Sequence, residues 1–254
     1  MSQVAENRRT RTAGKFVRIL GVALLALGLS MGIFAQIKDL YYEGAPWDWA
    51  ALQGGGIQWT QYAWDGSNLT IAASDQMGPN SQALGSLGAC VFNGKIYCFC
   101  VTADNGGTLW YVTLDPDNGH AETGPTAITT GLGAGASQSG AAAAVCHDVI
   151  YVFTPGSKGF TSKDGASFTT WDYTVSAKEP QWILDAVPLY PASDDPASIM
   201  LVYNDTSGVL RASVFLPPAQ TSAHDFVIPW PSVSPSWQPV AQGNLVLGTS
   251  AGYN

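Results

Sequence analysis

The chain has 254 residues, of which 46% are hydrophobic and 12% charged, enough apolar material for one large β domain or two small ones. Five of its 11 Lys+Arg and one of its 19 Asp+Glu precede residue 19, so six basic residues face eighteen acidic ones in the remainder, a formal charge of −12. A domain this acidic has no basic patch to neutralise phosphates, which excludes nucleic acid as a partner.

The first 36 residues differ from the rest. Arg8, Arg9, Arg11, Lys15 and Arg18 form a basic head, and Ile19 to Gln36 then run 18 residues without a charge. A basic head followed by an apolar stretch reads as a secretory signal, with Ala35 as a small residue at the cleavage point. The alternative is an uncleaved apolar helix that anchors the chain in a membrane through residues 17–36, since about 18 apolar residues can just span a bilayer. Arg8-Arg9 also allows a twin-arginine reading. All three place the residues after 36 outside the cytoplasm, secreted or tethered at the cell surface. Residues 37–56 are expected to be a linker, and 57–254 the folded domain.

Gly (28) and Pro (15) are plentiful, and no stretch beyond residue 36 keeps a helical period. Many short strands joined by Gly/Pro-rich turns suit an all-β fold. Residues 57–73, IQWTQYAWDGSNLTIAA, predict two strands around Asp65-Gly66-Ser67-Asn68. They look like the outer pair of a blade whose inner strands come from the C-terminal end. Residues 89–100, ACVFNGKIYCFC, form a hairpin around Asn93-Gly94, a strong turn signal because both central residues need positive φ. Residues 109–114 give a further strand ending at Asp115-Pro116-Asp117-Asn118-Gly119. Residues 143–154, AAVCHDVIYVFT, repeat the hairpin around His147-Asp148, 54 residues on. GFTS (159–162) and SFTTWDY (167–173) follow. A weaker copy is SIMLVYND (198–205) with GVLRASVFL (208–216), and NLVLGTS (244–250) is a fourth inner strand. The proline-rich stretch from Pro217 to Pro239 admits edge strands only.

A hairpin recurring about every 50 residues is the mark of a β-propeller. About four blades fit the chain, as a closed four-bladed ring or as part of a larger one. In the 89–100 hairpin the two-residue turn pairs Phe92 with Lys95, Val91 with Ile96, Cys90 with Tyr97 and Ala89 with Cys98. Directly opposite residues share a face, so Cys90 points away from Cys98 and Cys100. Cys146 could meet Cys98 or Cys100 across stacked blades, against the alternative of four free buried thiols. No Cys/His spacing suits a metal, and no cofactor is implied.

The two hairpins, with their apolar run, Asn-Gly turn and Tyr-x-Phe strand, resemble the inner strands of kelch-type propellers. Ser162-Lys163-Asp164-Gly165-Ala166-Ser167-Phe168-Thr169-Thr170-Trp171 resembles the Asp-box of sialidase-like propellers in Ser162 and Asp164. Gly165 falls one position early and Trp171 two late. That resemblance implies a structural turn between third and fourth strands, not catalysis. The cadence of hairpin, strand, Asp-Gly turn and Trp over residues 57–216 also looks like the propeller lectins that bind fucose and related sugars.

Sialidase activity is not expected, because Arg211 is the only arginine after residue 18 and a carboxylate-gripping site needs several planar guanidinium forks. A glycoside hydrolase or lyase with acids at the central channel is the alternative reading. Most acids, however, sit in turns: Asp65, Asp115, Asp117, Asp148, Asp164, Asp194 and Asp195. His120, His147 and His224 lie in or beside turns, with no Gly-x-Ser-x-Gly elbow. The positive signal is aromatic. Nine Trp, ten Tyr and nine Phe recur along the chain, and aromatic faces suit the apolar faces of sugar rings. The expected role is therefore non-catalytic, lectin-like glycan binding at Trp110, Tyr111, Trp171, Tyr173 and Trp182. A scaffold for protein contacts is the third reading. Trp47, Trp49, Trp59 and Trp64 stand before the first recognisable blade. Asn68-Leu69-Thr70 and Asn204-Asp205-Thr206 are glycosylation sequons in a eukaryotic secretory host.

Overall fold

The computed structural model describes residues 37–42, 45–52, 55–81, 83–115, 120–133, 140–189 and 197–228. Sixteen strands are seen among them, in four separate sheets of four. The first blade is β1 (Ile37–Tyr42), β2 (Ala45–Ala51), β3 (Ile57–Trp64) and β4 (Leu69–Met77). The second is β5 (Ala83–Phe92), β6 (Lys95–Thr102), β7 (Thr108–Asp115) and β8 (His120–Thr129). The third is β9 (Ala142–Cys146), β10 (Val149–Thr154), β11 (Lys158–Ser162) and β12 (Thr169–Thr170), and the fourth is β13 (Pro180–Leu189), β14 (Ser198–Asp205), β15 (Leu210–Phe215) and β16 (His224–Val227). Each sheet is an antiparallel meander in chain order. The first strands sit side by side: β1 by β5, β5 by β9, β9 by β13. The chain thus fans outward within each blade and returns to the centre for the next. This is an all-β, propeller-like arrangement.

The repeated hairpins follow from local chemistry. Asn93 and Gly94 take φ of 49° and 74°, and His147 and Asp148 take 49° and 54°, the left-handed pair that a two-residue turn requires. The register matches the sequence reading, with Cys90 opposite Tyr97 and Ala89 opposite Cys98. β6 and β10 read as unbroken apolar runs because both of their faces are covered. Ile96, Cys98 and Cys100 pack toward the first blade, while Tyr97, Phe99 and Val101 pack toward the third. Ile150 and Val152 face back to the second blade, and Tyr151 and Phe153 face on to the fourth. Gly88 lets β5 and β9 approach, since a Cβ there would come within 3.0 Å of the Ala143 backbone nitrogen.

Four expectations need correction. The segment expected as a linker carries β1 and β2, so the first blade has its own inner strands and needs none from the C-terminal end. The pair at 198–216 supplies second and third strands, and the inner strand of that blade is β13, which holds Trp182. The strand expected over 167–173 is only two residues long, because Trp171 and Tyr173 turn into the core instead of continuing the ladder. Cys146 faces the fourth blade whereas Cys98 and Cys100 face the first, so they cannot pair, and all four cysteines are buried. The outer pair at 57–73 and the short edge strand after Pro217 are where the sequence puts them. The apolar N-terminal segment and NLVLGTS lie outside the described residues. Among the described residues no helix is long and apolar enough to cross a membrane.

Candidate functional site

Of the five aromatics singled out from sequence, three are in the core. Tyr111 stacks among Tyr97, Phe99 and Phe168 between the second and third blades. Trp171 and Tyr173 pack with Phe153 and Phe215 between the third and fourth. Their polar tips are used internally: the Tyr173 hydroxyl donates to the Thr154 carbonyl at 2.8 Å, and Trp171 Nε1–H donates to the Pro218 carbonyl at 3.4 Å. Burial pushes the Tyr173 hydroxyl well above its ordinary range, so it stays a donor. Trp110 and Trp182 are half-buried and lie on different blades. The five do not form one site.

The structure instead gathers tryptophans between the first and second blades. Trp47 and Trp49 alternate on β2, so they share a face, and Trp59 on β3 lies directly opposite Trp49. Trp47 and Trp59 have ring centroids 5.6 Å apart, tilted by 40°. All three are at most 2% exposed. They pack against Leu87, Ala89, Ile96, Cys98 and Cys100 of the second blade, and Trp110 closes the same cluster at its edge. This lining is apolar or thiol. Accordingly the Nε1–H groups of Trp47, Trp49 and Trp59 have no hydrogen-bond partner among the described residues. A buried unpaired donor costs about 1–3 kcal/mol. The donors therefore call for an oxygen from beyond the described residues.

The edge of this cluster is polar. Trp110 Nε1–H donates to Thr102 Oγ1 at 2.9 Å, which fixes the indole against the end of β6. The 3-10 turn Asp104–Gly106 follows, and Thr108 Oγ1 donates to the Asp104 carbonyl at 2.9 Å. Asp104 Oδ1 is buried and without a partner among the described residues. Burial, with the Asp104 carboxylate nearby, pushes the Cys100 thiol up to about 12, which leaves it a neutral, unreactive lining group. An aromatic face and buried indole donors thus meet at one blade junction, and the Asp104 carboxylate lies near Cys100 of the same cluster. Sequence reading missed Asp104, which stands in a Gly-rich loop like any turn acid. It saw the three tryptophans but not their common face, because that depends on β2 being a strand.

Acids elsewhere shape turns. Asp164 Oδ1 accepts from Ser162 Oγ (3.0 Å), Ala166 N–H (2.9 Å) and Ser167 N–H (2.7 Å), while Gly165 N–H donates to Ser162 Oγ at 2.8 Å. This turn joins the third and fourth strands of its blade. The backbone bonds from Ser167 and Ala166 hold the Asp164 carboxyl well below the usual range. Asp65 does the same in the first blade, accepting from Ser67 and Asn68 N–H at 2.8 and 2.7 Å. Arg211, the one arginine of the domain, is occupied: its Nε donates to the buried Asp205 carboxylate at 2.6 Å. Asn204 of the second sequon is only 5% exposed and closed to modification in the folded chain, whereas Asn68 is exposed. Among the described residues no cluster of three or more His, Cys, Asp or Glu could hold a metal.

No protein-family model matches the chain, and no curated protein matches its sequence. Solved structures do match its fold. A triple arginine-to-alanine mutant of AofleA from Arthrobotrys oligospora superposes with a TM-score of 0.56 at 16% identity, over 77% of this chain and 57% of that one. An asparagine-to-glutamine mutant of the Aleuria aurantia lectin, in complex with α-methyl-L-fucoside, gives a TM-score of 0.48 at 13% identity, over 77% of this chain and 62% of that one. The chain therefore spans about three-fifths of the length of these proteins. At such identities the likeness to AofleA establishes a shared fold.

Proposed function

We propose that the chain is an exported, non-catalytic carbohydrate-binding protein, and that it takes a glycan at the junction of its first and second blades. The observation that carries this reading is the gathering of half-buried Trp110 with three indole donors that have no acceptor among the described residues, and of an Asp104 carboxylate oxygen, likewise without a partner there, near Cys100 of the same cluster. A sugar offers what each lacks: an apolar ring face for the indole, hydroxyl donors for the carboxylate, and oxygens for the N–H groups. Trp110 and Asp104 make first contact at the rim, and the deeper tryptophans form the floor. Export rests on the basic and apolar head before residue 37. The Ser162–Gly165 turn supports kinship with Asp-box propellers. With Arg211 held by Asp205, no guanidinium is left to grip an acidic sugar.

The test is a glycan array with the wild-type chain, followed by calorimetry on the best ligand. α-Methyl-L-fucoside, bound by the Aleuria aurantia lectin, is the first monosaccharide to try. Trp110→Ala and Asp104→Asn should each weaken binding at least about tenfold, a loss of about 1.4 kcal/mol. Trp171→Phe, remote from the junction, should not. No binding to any array glycan would overturn the reading in favour of a protein-contact scaffold.

A further inference from the structure

The accessible end of the first junction carries charge as well as an aromatic face. Residues 103–107 join β6 to β7, and the register closes this loop with Thr102 opposite Thr108 and sets Cys100 opposite Trp110. Directly opposite residues share a face, as do residues two apart along a strand. Cys100, Thr102, Thr108 and Trp110 therefore lie on one face of the second blade. Thr102 Oγ1 accepts from Trp110 Nε1–H, and Thr108 Oγ1 donates to the Asp104 main-chain carbonyl. A pair of facing threonines thus holds both the indole and the loop. Burial, and after it the Asp104 carboxylate, push up the Cys100 thiol, so the acid acts on the side of the hairpin that carries Trp110. Asp104 and Trp110 are half-buried, while Ala103, Asn105 and Gly106 around the acid are exposed, so solvent reaches this end of the hairpin.

A carboxylate on the same side as a fixed indole suits a cation. Asp104 Oδ1 is buried with no partner among the described residues. The chain has few cations to offer it. Of the six basic residues beyond residue 18, Lys158 is paired with Asp172 at 3.1 Å, Lys178 donates to Ser207 Oγ at 2.6 Å, and Arg211 is held by Asp205, none of them on the second blade. A sugar hydroxyl would give the carboxylate a hydrogen bond and leave its charge uncompensated. An ammonium gives a charge-assisted bond, stronger than a neutral one, and is also drawn to the negative face of the indole. The eighteen acids beyond residue 18 attract a cation at longer range and repel an anion. We propose that the ligand of this junction is an amino sugar, a glycan whose ring carries a free amine, with its ammonium taken by the Asp104 carboxylate and the Trp110 face. This rests on the glycan reading above and narrows it from sugars in general to cationic ones.

Calorimetry on the full chain with trimers of β-linked glucosamine, N-acetylglucosamine and glucose tests this. The glucose trimer keeps the ring scaffold and puts a hydroxyl in place of the amine. The wild-type chain should bind the glucosamine trimer at least about tenfold more tightly than either neutral one. That margin should shrink as salt rises from about 0.05 to about 0.5 M. Asp104→Asn should erase the margin, whereas Asp104→Glu, which keeps the charge, should retain most of it. Should Asp104→Asn fail to fold, the salt series on the wild-type chain decides. Equal or tighter binding of a neutral trimer would overturn the proposal, as would a margin that survives Asp104→Asn or ignores salt. Binding of α-methyl-L-fucoside or another neutral glycan, with none of the glucosamine trimer, would overturn it and leave the glycan reading standing. Failure to bind any sugar, charged or neutral, would overturn both.

Discussion

Two blade junctions in this domain are rich in aromatics, and they differ in what happens to the polar tips. Between the third and fourth blades the tips of Tyr173, Trp171 and Tyr203 have partners within the protein. Tyr173 donates to Thr154, Trp171 to Pro218, and Tyr203 meets Ser213 Oγ at 3.1 Å. Ser213 in turn bonds Asp225, which also accepts from Ser222 Oγ at 3.0 Å, so a hydroxyl–carboxylate chain runs along the fourth blade. Between the first and second blades, Trp47, Trp49 and Trp59 are as deeply buried, yet their N–H groups reach no acceptor among the described residues. Aromatic content alone therefore does not separate a packing junction from a recognising one. Satisfaction of the polar atoms does. A junction that is complete in itself serves stability, whereas one that leaves donors open gains by taking in oxygen atoms from elsewhere.

The contrast breaks most sharply at Trp171. Trp171→Ala should cost about 3–5 kcal/mol of unfolding free energy, because the indole fills space among Tyr151, Phe153, Tyr173 and Phe215. Urea unfolding measures it, and sugar affinity of the folded fraction should be unchanged. A cost below about 1 kcal/mol would remove the packing role from the third junction.

Asp205→Ala comes next, on the same self-satisfied side. It leaves Arg211, 17% exposed, without its carboxylate, and strips the acceptor from Ser207 and Val209 N–H at 2.7 and 3.0 Å. Removing one member of such a buried pair costs about 3–5 kcal/mol. The pH dependence has a definite sign. Burial opposes ionisation of Asp205, but the bonds from Arg211, Val209 and Ser207 outweigh it and hold the folded pKa below the ordinary value. The contribution is therefore full above the unfolded carboxylate pKa of about 4 and is lost as pH falls through the lower folded value. A melting series from pH 7 to 2 should show an acid limb that is shallower in Asp205→Asn. An unchanged limb would assign the acid sensitivity to Asp65 and Asp164, whose turns also hold them ionised.

Tyr173→Phe is a smaller perturbation of the same junction. It keeps the ring and removes only the hydroxyl donor to the Thr154 carbonyl. The expected loss is about 1–3 kcal/mol. Together with Trp171→Ala it separates what the rings contribute from what their tips contribute.

How much of this was legible beforehand depended on how many faces of a strand are buried. β6 and β10 are covered on both sides, so their sequences are continuous apolar runs bounded by left-handed turns, and both hairpins are plain in the chain. β2 is harder. In Ala45–Ala51 the apolar Trp47 and Trp49 flank buried Asp48, within a Pro- and Gly-flanked stretch that composition alone marks as a connector. Only pairing with β3 makes its alternation meaningful. The inner strand β13 is obscured by Pro180 and Pro188 and by register shifts near Trp182 and Asp185. The site suffered for the same reason. Of the aromatics singled out, Trp110 and Tyr111 stand on the recognisable β7, whereas Trp171 and Tyr173 follow a two-residue strand and Trp182 lies on the obscured β13. At the first junction, Trp47 and Trp49 stand on β2, where the strand signal is weakest.

Trp59→Phe is the smallest expected change in stability and the most discriminating. At the third junction, removing a polar tip removes a hydrogen bond within the protein. At the first, Trp59 Nε1–H has no such bond among the described residues. Trp59→Phe removes an unpaired buried donor, a gain, and loses part of an indole that packs on Trp47, a cost of opposite sign. The two offset to within about 1 kcal/mol, so the unfolding midpoint should hardly move. Binding should respond quite differently. If the indole floor supplies hydrogen bonds to a sugar, Trp59→Phe weakens affinity about tenfold or more, the equivalent of one good bond. A variant that keeps its stability and loses its ligand would mark the first junction as built for recognition. A variant that loses stability like Tyr173→Phe and binds as well as wild type would make the two junctions alike and end the contrast between them.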